Sequence, residues 1–225
     1  MTETDITPAK RKRAPSKRSL ETRARILDAA ERLFAQGGFD GASMRDIPVA
    51  ADVPVALVNF HGGAKEALFE TVVARRAEAL AQRRMDALEA AKANGKPPDL
   101  RTLLDCFIRP YLHLAATGGA QWTAYARLIA HVSADERWRP ISERCFDPTV
   151  AVFVAELIPK FPKAETRRIA GAFVFSISAM LSLATSRWRI EAMAGDSGEA
   201  TSGLDEWADF LIDFCEGGFR AALAG

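Results

Sequence analysis

Cysteine is scarce in this chain: Cys106, Cys145 and Cys215 are widely spaced, with no Cys-x-x-Cys pair and no Cys/His cluster among 3 histidines. A disulfide framework and a zinc site are thereby set aside, and buried free thiols are expected. No run approaches the roughly 20 apolar residues of a membrane span. No apolar stretch follows the N-terminal charges in the manner of an export signal, so a cytoplasmic protein without a membrane partner is expected. Paired carboxylates at useful spacing, a phosphate loop and a nucleophile motif are also missing, which argues against an enzyme and against any cofactor or metal. Net charge is nearly absent, at +1 from 30 basic and 29 acidic residues. The balance hides an asymmetry, because positive charge is concentrated in the first twenty-five residues. Beyond residue 64 there is no alternating strand pattern, and the periodicity is helical throughout.

What is present is concentrated between Ser43 and Leu68, SMRDIPVAADVPVALVNFHGGAKEAL. Ser43 followed by Asp46 is a weak capping box that can start a helix. Asp52 sits where the chain must turn, and Pro54 suits the first position of a second helix from Val55 to His61. Gly62 and Gly63 end it. In that helix Val53 and Val58 can face inward, while Val55, Ala56, Asn59 and Phe60 lie about one turn apart on another face. Two helices around a short turn can place the second in a major groove. There Asn can bond an adenine edge and small apolar side chains can meet a thymine methyl. Upstream, Lys10-Arg11-Lys12-Arg13 and Lys17-Arg18 form a basic arm over residues 1–19, expected to be disordered alone. It reads either as a phosphate-tracking arm or as a solvated tail; beside a helix-turn-helix the first reading is preferred.

Thr22, Ile26-Leu27-Asp28-Ala29-Ala30, Leu33-Phe34, Gly38-Phe39, Ser43-Met44-Arg45-Asp46-Ile47, Ala51, Val53, Val58-Asn59-Phe60-His61 and Gly63-Ala64-Lys65-Glu66-Ala67-Leu68 together resemble the N-terminal domain of the TetR family of transcriptional regulators. The likeness is gapless over about residues 20–80, with the motif at about 43–62. The Val-Asn-Phe-His run is similar to a subgroup with a Val-Asn-Tyr-His-Phe signature, which includes fatty-acid-responsive regulators. The resemblance implies an all-α fold: an N-terminal three-helix helix-turn-helix domain and a larger helical ligand-binding and dimerisation domain over 81–225. It makes Asn59 the base reader and Val55, Ala56 and Leu57 apolar base contacts. Ser43, Arg45, His61 and Lys65 become phosphate contacts, with Arg13, Lys17, Arg18, Thr22 and Phe60 completing the DNA-facing set.

Three positions depart from the family pattern. Pro48 would clash with the carbonyl of Met44 in a helix begun at Ser43, at a cost of up to about 3 kcal/mol. A late start, with an irregular turn over 43–46, removes the clash. Asp52 replaces a turn glycine, at roughly 1 kcal/mol if left-handed. Gly62 replaces an anchoring aromatic, whose loss costs about 3 to 5 kcal/mol if nothing fills the gap. Phe60 is one residue that could be recruited there.

Further helices are expected at Ala64 to about Ala93, with Arg75, Arg76, Arg83 and Arg84 on its charged face, at Leu100 to Ala116, and at Ala120 to Val132. A segment from Asp135 should be split near Pro140 and Pro148. Long helices from Lys163 to about Met193 and from Leu204 to Leu223 flank a mobile loop at Gly195 to Gly203. Those two carry apolar stripes, read as core and, through the resemblance, as a homodimer interface formed by Phe173, Ile177, Met180, Trp207, Leu211 and Phe214. Phe107, Tyr111, Trp122, Tyr125, Phe146, Phe153 and Phe175, with Arg127 and His131, are candidates for an effector pocket. They suit a small, largely apolar compound, acyl or aromatic. The expected function is a ligand-responsive regulator, most often a repressor in this family, on a palindromic double-stranded operator. Its rival is a sensor of the same fold that has lost DNA binding, suggested by Pro48 and Gly62.

Overall fold

The computed structural model describes residues 16–93, 95–195 and 204–223. All regular structure among them is helical: α1 Lys17–Gly41, α2 Asp46–Ala51, α3 Val55–Gly62, α4 Lys65–Lys92, α5 Leu100–Thr117, α6 Gly119–Ala134, α7 Arg139–Cys145, α8 Asp147–Leu157, α9 Thr166–Ala194 and α10 Leu204–Leu223, with 3-10 turns at Glu136–Trp138 and Ile158–Lys160.

Local chemistry accounts for most of these boundaries. The Ser16 hydroxyl accepts the Ser19 N–H at 3.2 Å and starts α1, as an N-cap should. Lys17 and Arg18 therefore stand on a helix and not in a disordered arm; the remainder of that arm, Arg13 included, lies outside the described residues. Gly38 breaks α1 near its end at φ +66°, a value open to glycine because it has no Cβ. The following Phe39 packs on Phe34 and Phe69, with centroids 6.2 and 5.3 Å away, and on Trp138 at 4.8 Å. The Asp99 carboxylate accepts the Thr102 N–H at 2.8 Å and caps α5. Pro140 and Pro148 stand in the opening turns of α7 and α8, where a missing N–H costs little. The expected split at those prolines is what forms. Of the expected Gly195 to Gly203 loop, residues 196–203 lie outside the described residues.

α1 lies across α4 and α6, and α10 lies on α5. One end of the core is built from Ile26, Phe34, Ile47, Val58, Leu68 and Phe69. The other holds an aromatic cluster in which Phe107 meets Phe153 at 5.1 Å and Phe173 at 4.7 Å. Tyr125, wholly buried, donates its hydroxyl to the Val73 carbonyl at 3.0 Å, joining α6 to α4.

Two sequence expectations change here. Over Thr166–Ile190, α9 is long and apolar enough to cross a membrane by length and composition. Its apolar character is spread over many small residues between the bulky ones, so no uninterrupted run of bulky side chains marks it. Second, the α9 and α10 stripe chosen for subunit contact is mostly internal. Phe173, Met180 and Leu211 are buried within their own chain, while Ile177 and Trp207 are half-buried against the same core. Phe214 alone of the six is strongly exposed, at 66 %. The uncovered apolar face carries Phe175, Phe210 and Phe214 instead.

Candidate functional site

The turn between α2 and α3 is built late, as Pro48 requires. Asp46 is the first helical residue, so the Met44 carbonyl lies outside α2 and the proline ring meets no helical turn. Ahead of it the chain makes a single turn, in which the Asp46 N–H donates to the Ser43 carbonyl at 3.1 Å and the Arg45 N–H to the Ser43 hydroxyl at 3.2 Å. The Ser43 side chain thus serves Arg45 and not the reciprocal box expected with Asp46. Asp52 closes α2 in the left-handed region at φ 50°. Its N–H donates to Val49 at 3.2 Å, and the Val53 N–H reaches back to Pro48 at 3.0 Å, which satisfies two terminal carbonyls.

Gly62 shows no vacancy. It is buried, and a Cβ there would stand 3.2 and 3.3 Å from the two δ-carbons of Leu68. The leucine at the start of α4 occupies the space an aromatic would need. Phe60 is accordingly not drawn inward: it is 78 % exposed and packs edge-on to His61 at 4.9 Å. With Val58 buried, α3 turns Val55, Ala56, Asn59 and Phe60 outward. Leu57, expected to contact bases, is half-buried against the core, because it falls on the same side as Val53 and Val58. Among the expected phosphate contacts, Arg45 is exposed, and Ser43, His61 and Lys65 are half-buried. Lys65 Nζ lies 4.6 Å from the Phe39 ring at the start of α4. Thr22 is half-buried on α1, and Lys17 and Arg18 are exposed on its first turn.

α4 ties this unit to the rest of the chain. Arg75 donates to Asp28 on α1 at 2.6 Å and Arg76 to the wholly buried Glu31 at 2.5 Å. Burial pushes the Glu31 carboxyl above its usual range, against the pull of Arg76. Below them residues of α4 to α9 surround a cavity of about 200 Å³. Phe107, Tyr111 and Phe146 of the expected set line it, joined by Ile177 and Met180 from the supposed dimer face. The others go elsewhere. Phe153 is spent in the core against Phe107 and Phe173, Tyr125 packs against Trp122 at 5.6 Å, and Phe175 sits on the uncovered face of α9, 74 % exposed. Arg127 and His131 are on the solvent side of α6.

The buried charged group on the cavity wall is Arg84, which lines it with Ser133, Ser142, Ser178 and the exposed Asp147. It was expected on a charged outer face, with Arg75, Arg76 and Arg83; of these only Arg83 is exposed. Leu80, Arg84 and Leu88 are all buried, at four-residue steps, so helical spacing alone places Arg84 on the core stripe.

A short helix, a left-handed turn and a second helix with an outward face, carried on a helical body, define a DNA-binding regulator of the helix-turn-helix class. Residues 26–72 match the bacterial regulatory proteins of the tetR family, and residues 105–218 match the tetracyclin repressor-like C-terminal domain. The chain belongs to the TetR family of transcriptional regulators. Solved structures share the fold. A transcriptional regulator from Pseudomonas aeruginosa is 18 % identical, with 90 % of each chain covered and a TM-score of 0.62. A TetR-like regulator from Rhodococcus is 18 % identical, covering 92 % of this chain and 99 % of that one at a TM-score of 0.60. The fatty acid degradation regulator FadR from Bacillus halodurans is 14 % identical, covering 88 % and 99 % at 0.63. No curated protein sequence matches.

Proposed function

We propose that the chain is a homodimeric, sequence-specific repressor in the cytoplasm that leaves a palindromic operator when a small, largely apolar effector fills the central cavity, with no catalytic step. The observation that carries the DNA part is the outward set Val55, Ala56, Asn59 and Phe60 on a helix braced from behind by Val58 and by Leu68 under Gly62. Asn59 reads a base edge, and Val55 and Ala56 offer apolar contact. Arg45, Ser43, His61 and Lys65 hold phosphates. The first turn of α4 has no side-chain cap, so its N–H groups add to the Lys65 charge.

The uncovered apolar face of α9 and α10 supports a two-fold dimer, which also explains why a helix as apolar as α9 need not meet lipid. Regulation runs through α4, a single helix with Lys65 at the DNA end and Leu80 and Arg84 at the cavity. Those two ends are about 28 Å apart at 1.5 Å per residue. An effector that binds one position of α4 better than another shifts the separation of the two recognition helices. The ion pairs from Arg75 and Arg76 make α1 follow.

The rival sensor without DNA binding rested on Pro48 and Gly62, and both fit their places. The test is a pair of substitutions: Asn59→Ala should relax sequence preference, while Lys65→Ala should weaken binding to all sequences and reduce the salt slope by about 1. Equal salt slopes for the wild type and Lys65→Ala would remove the phosphate assignment.

A further inference from the structure

Arg84 is an expensive residue to keep where it is. It is 6 % exposed, and its partners are all neutral: Nε donates to the Phe107 carbonyl at 2.9 Å, Nη2 faces Met180 Sδ at 3.7 Å, and the guanidinium lies 3.6 Å from the Phe107 ring centroid. Among the described residues Arg75, Arg76, Arg101, Arg109, Arg137 and Arg144 each meet a carboxylate, and Arg84 meets none. Asp147, on the lining of the same cavity, is exposed and does not pair with it. Burial lowers the guanidinium to about 9, so it still carries its charge at neutral pH. A buried cation without an anionic partner is strongly unfavourable, and an apolar residue would suit the spot between Leu80 and Leu88 better. Nη1 donates to no protein acceptor among the described residues.

We propose that the central cavity takes a small monocarboxylate with an apolar body, and that Arg84 receives its carboxylate. This rests on the reading of the cavity as the effector site, and names the effector's chemistry. The planar fork of a guanidinium matches a carboxylate with two parallel hydrogen bonds. A phosphate dianion would call for more than one cation. Leu80, Phe107, Ile129, Val150 and Ile177 make most of the wall around Arg84 apolar, and Ser133, Ser142, Ser178 and the exposed Asp147 also line it. A volume of about 200 Å³ exceeds the roughly 150 Å³ of an apolar cavity that takes benzene, so it admits a ligand about the size of a short fatty acid or benzoate.

The full-length protein would be titrated calorimetrically at pH 7 with two isosteric pairs, hexanoate against hexanamide and benzoate against benzamide. At least one carboxylate should bind about tenfold or more tightly than its amide, a difference of about 1.4 kcal/mol. Arg84→Met should abolish that preference while leaving amide binding and the melting temperature intact or raised, since a buried charge has been removed. Amides that bind the wild type as tightly as the acids would overturn the carboxylate assignment but leave the cavity an effector site. So would an Arg84→Met protein that keeps the preference. No binding of any probe would overturn both. Carboxylate binding that leaves operator DNA bound would uphold this assignment and contradict the regulatory reading instead. Should Arg84→Met fail to fold, the wild-type comparison of acid with amide decides alone.

Discussion

Gly62 and Asp52 show how a residue that breaks a family pattern can still be at home. Asp52 takes the left-handed region at φ 50°, tolerable for a short polar side chain, and the two backbone bonds it closes help offset the strain. Gly62 leaves room that Leu68 fills, so the position is matched to its neighbour and not defective. Gly62→Phe should therefore destabilise the protein by about 1–3 kcal/mol through overpacking and weaken DNA binding, read by thermal unfolding and by titration of an operator. An unchanged or raised melting temperature would show that the site holds a hidden cavity. At this scale the outward group Val55, Ala56, Asn59 and Phe60 was legible in the sequence, because one helical turn separates residues that share a face. Leu57 was not, since spacing on an eight-residue helix barely separates a flank from a face. Arg84 was misplaced for a different reason. Charge suggested solvent, yet its four-residue steps from Leu80 and Leu88 marked the core, and the spacing outweighs the charge.

Helix ends were the most readable elements, since each has a local cause. Asp99 caps α5, Pro140 and Pro148 open α7 and α8, and the α2 boundary moves to Asp46 because Pro48 forbids an earlier start. Which face of α9 and α10 meets a partner was harder. Both helices are apolar on more than one side, so periodicity finds stripes without saying which is covered by the chain's own core. The bulkiest stripe, with Phe173, Met180 and Leu211, went inward. The face that remains carries Phe175 and Phe214 beside Gly171 and Gly218 along one groove, and its small residues allow close approach of another helix. Phe175→Glu with Phe214→Glu should yield a folded monomer by sedimentation, with operator affinity greatly reduced because both half-sites can no longer be held together. A double variant that still sediments as a dimer would move the interface elsewhere.

Across the whole molecule, one helix connects the helix-turn-helix end to the cavity, and ion pairs between α1 and α4 tie the small domain to it. The fold class followed from helical periodicity and the absence of a strand pattern. The location of the cavity did not, because aromatic residues in the middle of a helical chain are mostly core, as Tyr125 and Phe153 are, and only packing separates a lining residue from a filling one. On the reading proposed above, the outward face of α3 reads sequence in a two-fold dimer. Selection of genomic fragments by the purified full-length protein at physiological salt, followed by titration of the recovered site against scrambled DNA, tests it most directly. A short palindrome should be recovered, bound about 10³-fold or more tightly than scrambled sequence. Salt-sensitive binding without sequence preference, or no binding at all, would contradict it.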